Sequence, residues 1–406
     1  MKKKIISIIC LILALSVVLS SCKKAGEGFG AVALADSTSF TYGTTVVGVP
    51  EELRPFYNKT TEYMLKTDSE NVVFSPVGAY TVLSMLGECS QDKAKREILD
   101  AFSGIDEQKS RSLARDIICS VQNGAQSLWL PDNYRYNEQK LKNLSGYYNT
   151  SVFEGAYDSP EALDVMKEWM KSNSFDSLDE MIEEFELTDN SEMLVLNALS
   201  FKDSWQTPFD EAKTAPAPFY AKSGVETAEF MSMDTDLEYK ITKDFACLSL
   251  PLDNGGRMTF MLPNEDKTLS EVMSDEYART ALRYMPFCND SGKGMVFIPK
   301  FDITQKNDLV GMAKSLGIEE IFNPDSDVFT DLSKDFDCMF IKTFFQMINV
   351  SIDENGVEGS SITGAEGSYK GEVDDKKIFR FDRPFAYSIF NSSGIPVFMG
   401  TVCTFN

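Results

Sequence analysis

The stretch NVSIDENGVEGSSITGAEGSYKGEVDDKKIFRFDRP, residues 349–384, decides how the chain is read. It opens as a strand, with Val350 and Ile352 alternating against Ser351 and Asp353, and turns at Glu354-Asn355-Gly356. Beyond Gly356 the composition shifts to Gly, Ser, Thr and Ala, with no Pro and no aromatic before Tyr369. A structureless run this long is uncommon inside a compact domain and is usually functional or disordered. On composition alone it reads as a flexible linker. Its parity reads differently. Val357, Gly359, Ser361, Thr363, Ala365 and Gly367 are all small and uncharged, whereas Glu358 and Glu366 both fall in the alternate set. Successive side chains of a strand point to opposite faces, so the first set suits a tightly packed face and the second a wet one. The run has the pattern of a strand that still lacks a sheet. From Thr343 to Asp375 the one basic residue is Lys370, so a protease selecting Lys or Arg finds the Lys370–Gly371 bond in an exposed segment.

The hinge IDENGVEGSS (352–361), the downstream FRFDRPFAYSIF (379–390) and the closing GIPVFMGTV (394–402) resemble the serpins, serine protease inhibitors that trap their target by loop insertion. Two further stretches carry the likeness: Asn71-Val-Val-Phe-Ser75-Pro76, and the order Asn197, Phe201-Lys202, Trp205, Pro208-Phe209. It extends over about residues 50 to 406. The resemblance implies a mixed α/β (α+β) fold. A large, mostly antiparallel central sheet would accept the loop, about residues 354–380, as an extra strand among helices and smaller sheets. It implies a hinge formed by Glu354, Gly356, Val357, Glu358, Gly359, Ser360 and Ser361, and a sheet-opening region containing Ser75, Asn197 and Gln346. Trp205 would stand where the loop first enters. Lys370–Gly371 lies sixteen residues past Glu354, the usual spacing to the cleaved bond, which implies a trypsin-like target trapped covalently. Departures are visible: Gln346 replaces the usual His, Gly78 the frequent Ser, and Val357 the usual Thr or Ser. Gln can still donate and accept toward Asn197. Two alternatives stay open: a non-inhibitory binding protein of serpin fold, and an inhibitor of chymotrypsin- or elastase-like proteases, with cleavage after Tyr369 in the chymotrypsin-like case.

Outward from this region, residues 1–21 form a charged start, an apolar run and a small-residue exit, the pattern of an export leader. Leu19-Ser20-Ser21-Cys22 resembles a bacterial lipobox, which implies lipid on Cys22 and export across the cytoplasmic membrane to a lipid-anchored place at the cell surface. Residues 22–48 lack helical period and read as a tether, and 49–406 as one domain without a second linker.

The formal charge is −23, and loss of Lys2, Lys3 and Lys4 with the leader takes it to −26. That argues against a nucleic-acid partner. Beyond Cys10 and Cys22, the cysteines Cys89, Cys119, Cys247, Cys288, Cys338 and Cys403 are scattered and mostly set in apolar runs, as buried thiols are. The chain has no His, which removes Ser-His-Asp and Cys-His nucleophiles and histidine metal sites. No phosphate loop or dinucleotide fingerprint is present. The chain therefore reads as a monomeric non-enzyme with no cofactor and no metal. Coarse periodicity predicts helices over 50–67, 77–89, 91–102 and 159–173, a helix begun at Asn307, and hairpins about Asn254-Gly255 and Ser392-Ser393-Gly394. Asp176–Glu192 reads as an acidic helix face with Met181, Ile182 and Phe185 turned inward.

Overall fold

The computed structural model describes residues 32–35, 46–121, 124–132, 134–156, 159–187, 193–336, 338–357 and 377–405. In chain order the first strands are β1 (Val32–Ala35), β2 (Val72–Phe74), β3 (Gly124–Pro131), β4 (Thr150–Gly155), β5 (Leu194–Leu199) and β6 (Asp203–Ser204). Next come β7 (Ala215–Ala221), β8 (Gly224–Ile241), β9 (Phe245–Pro251), β10 (Arg257–Pro263), β11 (Asp290–Pro299) and β12 (Phe301–Asp308). The last are β13 (Phe345–Ile352), β14 (Gly356–Val357), β15 (Lys377–Arg380), β16 (Phe385–Phe390) and β17 (Pro396–Val402). The helices that bear on the site are α1 (Arg54–Leu65), α2 (Pro76–Cys89), α3 (Asp92–Ala101), α4 (Glu107–Ser120), α5 (Glu138–Tyr148), α6 (Pro160–Ser172) and α7 (Asp179–Glu183).

Nine strands form one mixed sheet in the order β15-β11-β8-β9-β10-β16-β17-β2, with β7 also on β8. The central sheet is in two halves. One half runs β1-β4-β3-β5 and the other β12-β13-β14-β6. Only three residues separate β5 from β6, so the halves join at that end and part below it. The strand pairs are antiparallel except β3 with β4 and β11 with β15.

Helix α2 lies beneath the parting. Ser75 caps it by accepting from the Gly78 N–H at 3.0 Å, Pro76 occupies the first turn, and thirteen of its fourteen residues are buried. Buried on nearly every side, it is a core helix and not a surface one. Alternate residues of the two parted strands divide between two cores. Val350 and Ile352 belong to the main core around α2, while Leu196, Phe345 and Met347 pack with Trp129, Trp169, Ile182 and Phe185 under α6 and α7.

Two expectations change here. The helix expected from Asn307 spans Val310–Ser315 instead, still ending before Gly317: β12 runs through Asn307, whose amide donates to the Val73 carbonyl at 2.6 Å. Phe301, Ile303, Gln305 and Asn307 keep a period of two, which the strand satisfies and a helix would not. Within the stretch read as a tether, Val32–Ala35 form β1 and pair with β4.

Candidate functional site

The turn 353–356 is held from both sides. Asp353 Oδ1 accepts from the N–H groups of Asn355 and Gly356 at 2.8 and 3.1 Å, and Asp353 N–H donates to the Gly356 carbonyl at 3.1 Å. The indole N–H of Trp205, itself 1% exposed, donates to the Asp353 carbonyl at 2.8 Å. Backbone N–H groups of Trp205 and Phe209 donate to Asn355 and Glu354 at 2.9 and 2.8 Å. The Glu354 side chain is buried beneath this turn. Its oxygens take the Thr214 hydroxyl at 2.7 Å and the Lys300 ammonium at 3.1 Å. Burial alone would raise the Glu354 carboxyl, but the Thr214 and Lys300 contacts outweigh it and leave it below the usual value. Desolvation likewise opposes the charge on Lys300, and Glu354 outweighs it, raising that ammonium.

This turn feeds two residues into the parted sheet. Val357 pairs with Ile352 on one side and Asp203 on the other, and Gly356 pairs with Ser204. Val357 is 2% exposed and packs with the main core. A Cβ at Gly356 would run into the Asp203 carbonyl and come within 2.7 Å of the Ser204 Cα, so glycine is required by close approach of backbone.

Below β14 the sheet is open. Among the described residues no ladder joins β5 to β13. A small pocket lies directly beneath Val357 between Leu199, Phe201, Ile348 and Val350, and a cleft of about 640 Å³ continues the gap between β5 and β13. The cleft is covered from the α6 side by Ile182 and Phe185, both buried, with the Phe185 ring 5.7 Å from that of Phe345.

Halfway down the gap Ser75, Asn197 and Gln346, the residues expected at the sheet-opening region, meet over Gly78. A Cβ there would lie 2.9 Å from Asn197 Oδ1, 3.0 Å from Gln346 Nε2 and 3.4 Å from Ser75 Oγ. Gln346 grips the Ser75 backbone twice, donating to its carbonyl at 2.8 Å and accepting its N–H at 3.1 Å. Among the described residues no hydrogen bond joins Gln346 to Asn197, and both ends of the Gln amide bond Ser75 instead. Ser75 Oγ donates to the Val397 carbonyl at 2.8 Å. Asn71 instead clasps the C-terminal segment, accepting from Cys403 and Thr404 N–H at 2.7 and 3.1 Å.

Several of these groups escaped the sequence. Gln305 accepts the Val73 N–H at 3.0 Å, so Gln305, Asn307 and Gln346 together satisfy the edge of β2 and the residue after it. The inward period of Phe301, Ile303, Gln305 and Asn307 was the signal. Lys300 and Thr214 carried none, since both reach Glu354 across the fold. Glu358, Gly359, Ser360, Ser361, Lys370, Gly371 and Cys22 lie outside the described residues.

Residues 56–405 match the family model described as "Serpin (serine protease inhibitor)". An uncharacterized serpin-like protein of Methanosarcina acetivorans is 23% identical over 354 residues, covering 84% of this chain and 82% of its own. Serine proteinase inhibitor 1 of rabbitpox virus is 23% identical over 361 residues, covering 84% and 98%. The crystal structure of the thermophilic serpin Tengpin in the native state superposes with a TM-score of 0.77 at 21% identity, over 93% of this chain and 100% of that one.

Proposed function

The chain belongs to the serpin family, whose members are in general serine protease inhibitors, and from that premise we propose that it traps trypsin-like proteases covalently by inserting its loop into the central sheet. The protease serine hydroxyl adds to the Lys370 carbonyl, and the Lys370–Gly371 bond breaks. The carbonyl remains as an ester on the protease, and the proton leaves with the new Gly371 amine. The freed segment then zips into the sheet behind Val357 and carries the acylated protease with it. The chain contributes no catalytic group, only the free energy of a sheet left incomplete.

The observation that supports this most is the seat of β14 at the head of an open slot of matching register. Gly356 opposite Ser204 and Val357 opposite Asp203 extend to Thr363 opposite Asn197. Val357 opposite Ile352 extends to Thr363 opposite Gln346. Two independent ladders thus converge on one residue, a small hydroxyl for the polar point above Gly78. The odd-numbered residues from Val357 to Gly367 would face the main core, and all six are small and uncharged.

Incubation with trypsin followed by denaturing electrophoresis tests the reading. A complex that survives denaturation is expected, with release of a fragment beginning at Gly371. A fragment beginning at Lys370 would transfer the target to chymotrypsin-like enzymes. Complete loop cleavage with fully active protease would make the chain a non-inhibitory member. The same reading attaches lipid at Cys22, and a Cys22→Ala chain that still sediments with membranes overturns that part.

A further inference from the structure

The direction of β1 carries information that neither the tether nor the loop holds alone. Val32 pairs with Glu154 and Ala35 with Val152, so β1 runs antiparallel to β4 along the outer edge of the central sheet. β4 is parallel to β3, with Pro131 opposite Gly155, and β3 is antiparallel to β5, with Trp129 opposite Leu194. Val32 therefore lies level with the Leu194 end of β5, and the chain enters β1 from that pole. The hinge is at the other pole: Gly356 pairs with Ser204, ten residues beyond Leu194, or about 33 Å along the strand direction. The far end of the loop returns beside the hinge, since β15 pairs with β11 and Lys300, one residue past β11, holds Glu354.

We infer that β1 stands the molecule on its lipid anchor with the hinge pole outward, and that the short leash from Cys22 to Val32 limits the space into which the captured protease is delivered. The inference rests on the readings of lipid at Cys22 and of loop insertion. Extending the β14–β6 register sets Lys370 opposite position 190, four residues past the end of β5, at the pole where the leash enters. The protease therefore arrives between the domain and the membrane. Ten residue steps span at most about 35 Å fully extended. A compact protease of some 220 residues is about 45 Å across. The anchored inhibitor cannot stand upright over its captive, so the complex must lean, and insertion competes less well with hydrolysis of the ester. Without β1 the reach would run to Val46, twenty-four steps or about 80 Å, and the conflict would vanish.

The test uses the lipidated full chain in phosphatidylcholine vesicles, with trypsin as the probe and the molecules of inhibitor consumed per protease trapped as the readout. Mass spectrometry first verifies lipid on Cys22; an unmodified Cys22 refutes the anchor reading and is seen before any kinetics. With lipid present, vesicle-bound protein is expected to consume at least twofold more inhibitor per trapped protease than the same protein in detergent. Deleting residues 25–30 should increase the excess, and a twenty-residue Gly/Ser insert before Val32 should abolish it. Ala33→Pro with Ala35→Pro, which breaks the β1 ladder without lengthening the chain, should abolish it as well. Equal stoichiometry across vesicles, detergent and all leash lengths overturns the inference. Rescue by the insert but not by the prolines shows that β1 does not set the reach, and overturns it equally. Failure of every form to trap trypsin is separate, and refutes the insertion reading.

Discussion

Glu354 and Lys300 show how much of the site is decided by single side chains. The carboxylate is enclosed, the ammonium is about one-third exposed, and they meet at 3.1 Å beneath a turn whose four carbonyls all accept hydrogen bonds. A hydrogen bond between charged groups contributes about 1.5–3 kcal/mol when enclosed, and the wet side of Lys300 reduces that here. Glu354→Gln is therefore expected to cost about 1–2 kcal/mol in a urea titration read by Trp205 fluorescence, with Lys300→Met non-additive beside it. The pH dependence has two limbs. The lowered Glu354 carboxyl gives stability that is complete above its unfolded value of about 4.3 and is lost as pH falls through the folded value. The raised Lys300 ammonium gives stability that is complete below its unfolded value of about 10.4 and is lost as pH rises through the folded one. The clamp should hold evenly between about pH 5 and pH 10, and Glu354→Gln should flatten the acid limb. Persistence of that limb in the variant would remove Glu354 from the account. Neither partner of Glu354 was legible in the sequence, because Lys300 and Thr214 lie 54 and 140 positions from it in the chain and are joined only by the fold.

At the level of elements, β14 makes the hinge a strand of two residues, and its two residues fail differently when changed. Gly356→Ala drives a methyl into the Asp203 backbone, so β14 should leave the sheet and the amides of Trp205 and Phe209 should lose hydrogen-exchange protection. Val357→Arg keeps the backbone fit but demands an unpaired charge in the main core, which costs several kcal/mol. The expected result is normal loop cleavage with no denaturation-resistant complex; a wild-type yield of complex would show that insertion does not start at Val357. These elements were largely legible. Val350 and Ile352 announced β13 by alternation, the run 77–89 announced α2, and the turn residues announced both hairpins. What alternation could not show is that β5 and β13 part company, since pairing is a property of two strands and their patterns are each complete. The helix expected from Asn307 starts three residues late, at Val310, because inward amides resemble exposed ones until β2 supplies the backbone they bind. β1 was hidden because four residues among Gly, Ser and Thr make no period.

Taken as a whole molecule, the fold leaves two strand edges and a cleft of about 640 Å³ uncompleted at its centre. Filling them adds a ladder on each side of one strand, so a chain nicked at its loop should unfold at a much higher temperature than the intact chain. Nicked and intact protein melting together would mean that the cleft is no reservoir. The family and the mixed architecture were legible because the hinge, the downstream strands and the Asn197 to Phe209 order carry the resemblance, and residues 56–405 match the family model. The cover over the cleft was not, because Ile182 and Phe185 look like any inward helix face. In the proposed race between insertion and hydrolysis, the two residues of β14 matter as a guide rail more than as a head start. Joining strands from nothing takes about 1–10 μs even for a local hairpin, since several residues must be ordered before any bond repays them. An ester on a protease that turns over about 1–10³ times per second survives for milliseconds to a second. The microseconds saved are a small part of that interval, so what the meshed first teeth would give the proposed zipper is its track and not its speed. In the proposed insertion the entering strand must also pass Ile182 and Phe185, and the half-life of the ester is the time allowed for doing so.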